Sequence, residues 1–230
     1  MKSANLDRRD FLATTLAGVG VGLIVPAAAR AQTQLSPAAA LDELVAGNRR
    51  FAADRLTSIS QDLKVLKEHT AEKQEPFAAV LACADSRVPV ELIFDQTIGH
   101  LFVTRVAGNV ATSEVVASLE YALAVLGVKA VLVLGHTGCG ALKAAMKSDT
   151  VPGQISTLYT HLRPAVEKSG GDVAAAIEMN AKLQAELLRT SSTVIRDAVK
   201  ANKVKVVSGV YDLASGKVNV AEASPASLRW

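Results

Sequence analysis

The sequence predicts an α/β domain: a mostly parallel central sheet of four strands plus a short antiparallel fifth, flanked by helices. Three observations lead there. Continuously apolar runs of strand length recur at Phe77–Ala82, Leu101–Val106 and Ala130–Leu134, as expected for strands buried on both faces. Segments of helical periodicity separate the strands, which is what parallel crossovers require. Both cysteines of the 230-residue chain fall where such a run ends, and the carboxyl ends of parallel strands are where open α/β sheets bind ligands.

Taken in order, Ser36-Pro37 is a helix start, with serine as N-cap and proline at the first helical position. Leu41, Leu44 and Val45 continue it at helical spacing, up to Gly47-Asn48-Arg49-Arg50-Phe51. A second amphipathic helix is expected over Asp62–Lys73. These helices precede the first strand, so they lie either against the domain or on a partner subunit. Gln74-Glu75-Pro76 breaks the pattern before strand one. A short helix is expected over Pro89–Phe94, strand two over Leu101–Val106, a helix over Thr112–Leu126 and strand three over Ala130–Leu134. Helices then cover Leu142–Met146, Ile155–Lys168 and a long region from Asp172 to about Asn202. Lys203–Val210 is the fourth strand. After a turn at Asp212–Lys217 containing Gly216, Lys217–Val220 forms the short antiparallel fifth.

Half of the residues are apolar and only 4% aromatic, so Ala, Val and Leu must fill the core. The formal net charge is +3, but Lys2, Arg8, Arg9 and Arg30 against Asp7 and Asp10 supply +2 of it; the remainder has 21 basic and 20 acidic residues. That balance argues against nucleic-acid binding, which needs a basic excess. Residues 1–31 read as an export signal and residues 32–230 as a single domain. Arg8-Arg9-Asp10-Phe11-Leu12 opens an uncharged run from Phe11 to Ala29, and Ala29-Arg30-Ala31 is a small-x-small cleavage pattern leaving Gln32 first. The paired arginines resemble a twin-arginine signal, which implies a periplasmic protein that meets the membrane only during export. An uncleaved membrane anchor is the alternative.

The chemistry concentrates in two stretches, Cys83-Ala84-Asp85-Ser86-Arg87 and His136-Thr137-Gly138-Cys139-Gly140. Two thiolates and an imidazole are the soft-to-borderline donors that zinc prefers, and three protein ligands leave a fourth position for water or a carboxylate. Asp85 is a candidate for that position, and Arg87 a candidate for holding it away as a bidentate ion pair. An ordinary Cys83–Cys139 disulfide is the plain alternative for an exported chain. It explains neither the neighbouring His136 nor the neighbouring Asp85 and Arg87. His69, His100 and His161 read as surface residues.

At Cys83-x-Asp85-x-Arg87 with His136-x-x-Cys139 the chain resembles the β-class carbonic anhydrases. Gly47-Asn48-Arg49-x-Phe51, Gln74, Ser86, Val88-Pro89, Arg105, Asn109, Glu120-Tyr121-Ala122 and Gly135-His136 extend the match from Leu41 to Val220. The resemblance implies one Zn2+ per chain, held by Cys83, His136 and Cys139, and reversible hydration of carbon dioxide to bicarbonate and a proton by zinc-bound hydroxide. It implies that Asp85 either ligates the metal in a closed site or pairs with Arg87 and orients the nucleophile. Gln74 would donate to a substrate oxygen, and Phe102 and Tyr121 would line the pocket, partly across a subunit boundary, so a homodimer or higher even oligomer is implied. Ala107 stands where the family often has a larger pocket residue. Val80 replaces the tryptophan of the subgroup that has a regulatory bicarbonate site, so none is expected. The alternatives on this fold are hydrolysis of carbonyl sulfide or carbon disulfide, or zinc and bicarbonate binding without catalysis.

Overall fold

Five strands form one sheet in the order β2-β1-β3-β4-β5: β1 (Ala78–Ala82), β2 (Leu101–Arg105), β3 (Ala130–His136), β4 (Lys205–Tyr211) and β5 (Val218–Ala221). The first four are parallel and β5 is antiparallel to β4. The computed structural model describes residues 33–61, 63–147 and 150–221; the expected signal segment lies outside the described residues. The described helices are α1 (Pro37–Ala52), α2 (Leu63–Thr70), α3 (Val90–Ile93), α4 (Ser113–Ala124), α5 (Gly140–Lys147), α6 (Thr157–Lys168), α7 (Val173–Ser191) and α8 (Thr193–Lys200), with a 3-10 turn at Ser58–Ser60.

The period-two geometry of the strands divides the core. Ala78, Val80, Ala82, Leu132 and Leu134 join Ala40 and Leu44 of α1 and Val90 and Ile93 of α3. Ala79, Leu81, Val131 and Val133 face the other way, onto α4, α7 and α8. All five residues of β1 and all seven of β3 are buried, which is why these strands read as unbroken apolar runs.

Of the two α-helices before the first strand among the described residues, α1 covers the chain's own sheet. Ser36 Oγ accepts the Ala39 N–H at 3.1 Å, capping α1 so that Ala40 and Leu44 face inward. Close to its end, Gly47 passes Phe94 so tightly that a Cβ would lie 1.9 Å from the Phe94 carbonyl oxygen. The Asn48 amide donates to the carbonyls of Ile93 (3.2 Å) and Gly216 (2.9 Å), and its oxygen accepts the Val218 N–H at 2.8 Å. The Gly-Asn-Arg motif is therefore a clamp joining α1, α3 and the β4–β5 turn. By contrast, α2 buries no residue and leaves Leu63 62% exposed.

Most element ends fall within one to three residues of the expectation; two departures have a structural cause of their own. Strand β3 runs two residues past Leu134, because Gly135 and His136 keep pairing with Val210 and Tyr211 of β4. The long helix expected from Asp172 to about Asn202 is two helices. Ser192 is extended between them, its Oγ accepting the Ile195 N–H at 3.0 Å and donating to Glu120 Oε1 at 2.6 Å. This N-cap is tethered to α4, so the break depends on a tertiary contact.

Candidate metal centre

Strands β1 and β3 are neighbours, with Ala82 opposite Leu134, and this brings the two motifs together. Cys83 follows the last residue of β1. His136 ends β3, and Cys139 immediately precedes α5 after a turn in which Gly138 takes a left-handed φ of 70°. The Sγ atoms of Cys83 and Cys139 and a ring nitrogen of His136 lie within 4.8 Å of one another, and all three residues are buried. Both thiols are free, which removes the disulfide alternative.

The ring of His136 is oriented from behind. Its Nδ1 lies 3.1 Å from the Thr137 carbonyl oxygen; a carbonyl only accepts, so Nδ1 carries the proton and Nε2 offers a lone pair. That Nε2 is buried and has no hydrogen-bond partner. The hydrogen bond from Cys139, the His136 ring and the backbone amides of Gly108 and Asp85 pull the Cys83 thiol far below its ordinary value, against the effect of burial. Cys83 and burial together push the Cys139 thiol up. Two sulfurs cannot both ionise cheaply in so dry a place, so a cation that neutralises both has a strong advantage.

Asp85 faces this cluster without belonging to it. Its Oδ2 is 3.8 Å from His136 Nε2, but the carboxylate is engaged by Arg87. Oδ1 accepts the Arg87 backbone N–H (3.0 Å) and Nε–H (2.9 Å), and Oδ2 accepts an Nη2–H (2.8 Å). The guanidinium holds the Asp85 carboxyl well below the usual range. Of the two states expected for Asp85, the structure displays the arginine-paired one.

Three other residues position this loop. Arg105 donates to the carbonyl oxygens of Cys83, at 3.0 Å, and Asp85. Gly108 N–H donates to Cys83 Sγ at 3.3 Å, so Ala107 lies one residue from the centre. Thr137 Oγ1 donates to Asp212 and accepts the Leu213 N–H at 3.0 Å, tying the histidine loop to the β4–β5 turn. Sequence reasoning assigned no site role to Gly108, Asp212 or Leu213, since the bonds are made mostly through backbone and carry no residue-type signal.

The remaining predicted site residues lie elsewhere in the chain. Glu75 N–H bonds Gly99 O and Phe77 N–H bonds His100 O, which puts Gln74 where the strands enter the sheet. Cys83 is where β1 leaves it. The five residues of β1 alone span about 16 Å, so Gln74 cannot reach its own chain's cluster. Phe102 is level with Ala79 in the sheet and stacks obliquely on Tyr121, ring centroids 6.4 Å apart; Tyr121 is 48% exposed. His69, His100 and His161 are exposed, as expected.

The carbonic anhydrase family model matches residues 78–218. Carbonic anhydrase 2 of Mycobacterium tuberculosis is 34% identical over 190 residues, covering 79% of this chain and 91% of that protein. The chain belongs to the β-class carbonic anhydrases. The carbonic anhydrase of Mycolicibacterium smegmatis is 35% identical over 195 residues, 80% of this chain and 93% of that one. Among solved structures, a β-carbonic anhydrase of Aspergillus fumigatus superposes with a TM-score of 0.66 at 28% identity, covering 80% and 92% of the two chains. A Coccomyxa β-carbonic anhydrase in complex with acetazolamide gives 0.60 at 25% identity, covering 78% and 85%. The β-class enzymes are zinc-dependent. The cluster fits that metal: it has two free sulfurs, one already disposed to ionise, and a buried imidazole nitrogen with no hydrogen-bond partner.

Proposed function

We propose that this chain hydrates carbon dioxide reversibly to bicarbonate and a proton, with zinc held by Cys83, His136 and Cys139. The observation carrying the reading is the buried Cys83–His136–Cys139 cluster with the ionised Asp85 beside it. Zinc, when bound, supplies Lewis acidity that lowers the pKa of a coordinated water from ~15.7 towards ~7. The Thr137 carbonyl keeps the His136 Nε2 lone pair directed at the centre. Arg87 keeps Asp85 ionised, so Asp85 can accept a hydrogen bond but has no proton to donate. Its task is to accept from the attacking water and turn that oxygen's lone pair towards the carbon of carbon dioxide. The new carbon–oxygen bond makes bicarbonate, and the displaced proton is released to solvent. Arg105 steadies the Cys83–Asp85 backbone meanwhile.

Gln74, Phe102 and Tyr121 serve the site of a neighbouring subunit in this reading. Their collection around the entry side of edge strand β2, far from their own chain's cysteines, supports it, as does the open face of α2. The minimal functional unit is then a homodimer. Residues 1–31 direct export, with cleavage before Gln32; N-terminal sequencing of the exported protein should begin at Gln32, and a start at Met1 refutes cleavage.

The decisive assay is carbon dioxide hydration by the zinc-loaded protein, followed by proton release. Wild type is expected to be active and Asp85→Ala inactive with zinc retained. A zinc-loaded wild type without activity overturns the proposal.

A further inference from the structure

Helix α7 carries two amide side chains that nothing in the reaction uses. Asn180 is fully buried and Gln184 is 4% exposed; four residues apart, they lie on one face of the helix. Asn180 Nδ2 donates to the Gly108 carbonyl oxygen at 2.8 Å. Gln184 Oε1 accepts the Ala111 N–H at 2.9 Å, and its Nε2 donates to Asn180 Oδ1 (3.2 Å) and to the His161 carbonyl oxygen (3.3 Å). The pair grips the Gly108–Ala111 segment at both ends. Within it Gly108 takes a left-handed φ of 77°, open to glycine, and Asn109 one of 45°, uncommon for a residue with a side chain. The front of the same loop is the Gly108 N–H, 3.3 Å from Cys83 Sγ.

We infer that Asn180 and Gln184 are positioning residues of the metal centre, holding the Gly108 amide on the Cys83 sulfur and thereby setting how strongly that sulfur donates to the metal. The inference rests on Cys83 being a ligand. An N–H···S bond withdraws electron density from a thiolate and fixes its lone pairs, and outer-shell partners of this kind tune metal sites from one layer out. Two features argue that the arrangement is more than loop anchoring. Position 108 is held to glycine by its left-handed φ and by Leu162, whose Cδ2 would lie 2.9 Å from a Cβ there, so the backbone can pass this close to the sulfur. The helix, moreover, spends two buried amides where apolar residues would pack more cheaply.

The test uses the cobalt-substituted protein, whose sulfur-to-cobalt charge-transfer band reports thiolate donation, together with zinc affinity by chelator competition. Asn180→Ala should shift the band to longer wavelength and weaken zinc binding about tenfold or more. Gln184→Met should move both in the same direction by less. Tyr159→Phe, which removes a buried but unpartnered hydroxyl, should move neither. In the cadmium-loaded wild type, the Gly108 amide proton should couple to the metal through the hydrogen bond, a measurement that needs no variant to fold. Folded Asn180 and Gln184 variants with unchanged band and affinity overturn the inference, as does a Gly108 amide uncoupled to cadmium. A wild type that binds cobalt without any thiolate band overturns the ligand assignment instead.

Discussion

Asp85 and Asp95 show how differently one residue type serves in this molecule. Asp85 is partly open to solvent and committed to Arg87; Asp95 has a fully buried side chain. Burial alone would raise the Asp95 carboxyl. The backbone N–H of Ser58, the Arg50 guanidinium and the Thr57 hydroxyl outweigh burial and hold the carboxyl well below the usual range. The native state therefore takes up that proton less readily than the unfolded chain does. The contribution to stability is complete above the unfolded carboxyl pKa of ~3.9 and is lost as pH falls through the native value. Asp95→Ala should cost about 3 kcal/mol at neutral pH, by stranding Arg50 and three further donors, the Thr57 N–H and hydroxyl and the Ser58 N–H, and the gap from wild type in denaturant titrations should close towards acid pH. At the metal centre, Asp85→Asn should keep zinc but lower kcat by about a hundredfold or more, because an amide can turn its N–H towards the water it should accept from. Unchanged turnover would deny Asp85 its orienting role.

Among the elements, the junctions carry more information than the helices themselves. Ser192 separates α7 from α8 and is bonded across to Glu120 of α4. Ser192→Ala should cost about 1–2 kcal/mol in thermal or chemical unfolding, and without that cap the tendency of 172–202 to run as one helix would increase. Gly47 lies against the Phe94 backbone, and Gly47→Ala drives a methyl into the Phe94 carbonyl. A loss of about 3 kcal/mol is expected; a stable Gly47→Ala protein would show that α1 can slide along the sheet. Both effects belong to elements, since neither residue touches the cysteines, and zinc affinity measured on the folded variants should stay near wild type.

For the whole molecule, the opposed positions of the cysteine cluster and of Gln74 make a prediction about assembly. If the site spans two subunits as proposed, a Gln74→Ala chain and a Cys83→Ser chain each lack one half of it. Co-refolded, they should regain activity in mixed dimers, roughly a quarter of wild type if the subunits assort at random and each intact site acts independently. No recovery would mean that Gln74 does not act across a subunit boundary. Zinc should also raise the melting temperature, because a ligand that binds the folded state alone stabilises it by mass action.

The sequence by itself determined the α/β class, the strand runs, the Ser36 cap and the chemistry of the site. The first three are short-range consequences of periodicity and local capping, and the last is visible because cysteine is scarce here: two in the chain, each with a diagnostic neighbour. Tertiary structure alone decided that β1 and β3 are adjacent, which turns residues 56 positions apart into one cluster. It alone decided that His136 is the last residue of a strand and that Ser192 divides a helix. The physical reason is common to all of these. Strand order, backbone donors such as the Gly108 amide and long-range caps depend on which segments pack together, and a linear pattern of side-chain types does not encode those distances. The Gly-Asn-Arg motif at 47–49 sits between the two: its presence was plain, but only the contacts of Asn48 with Ile93, Gly216 and Val218 reveal a clamp.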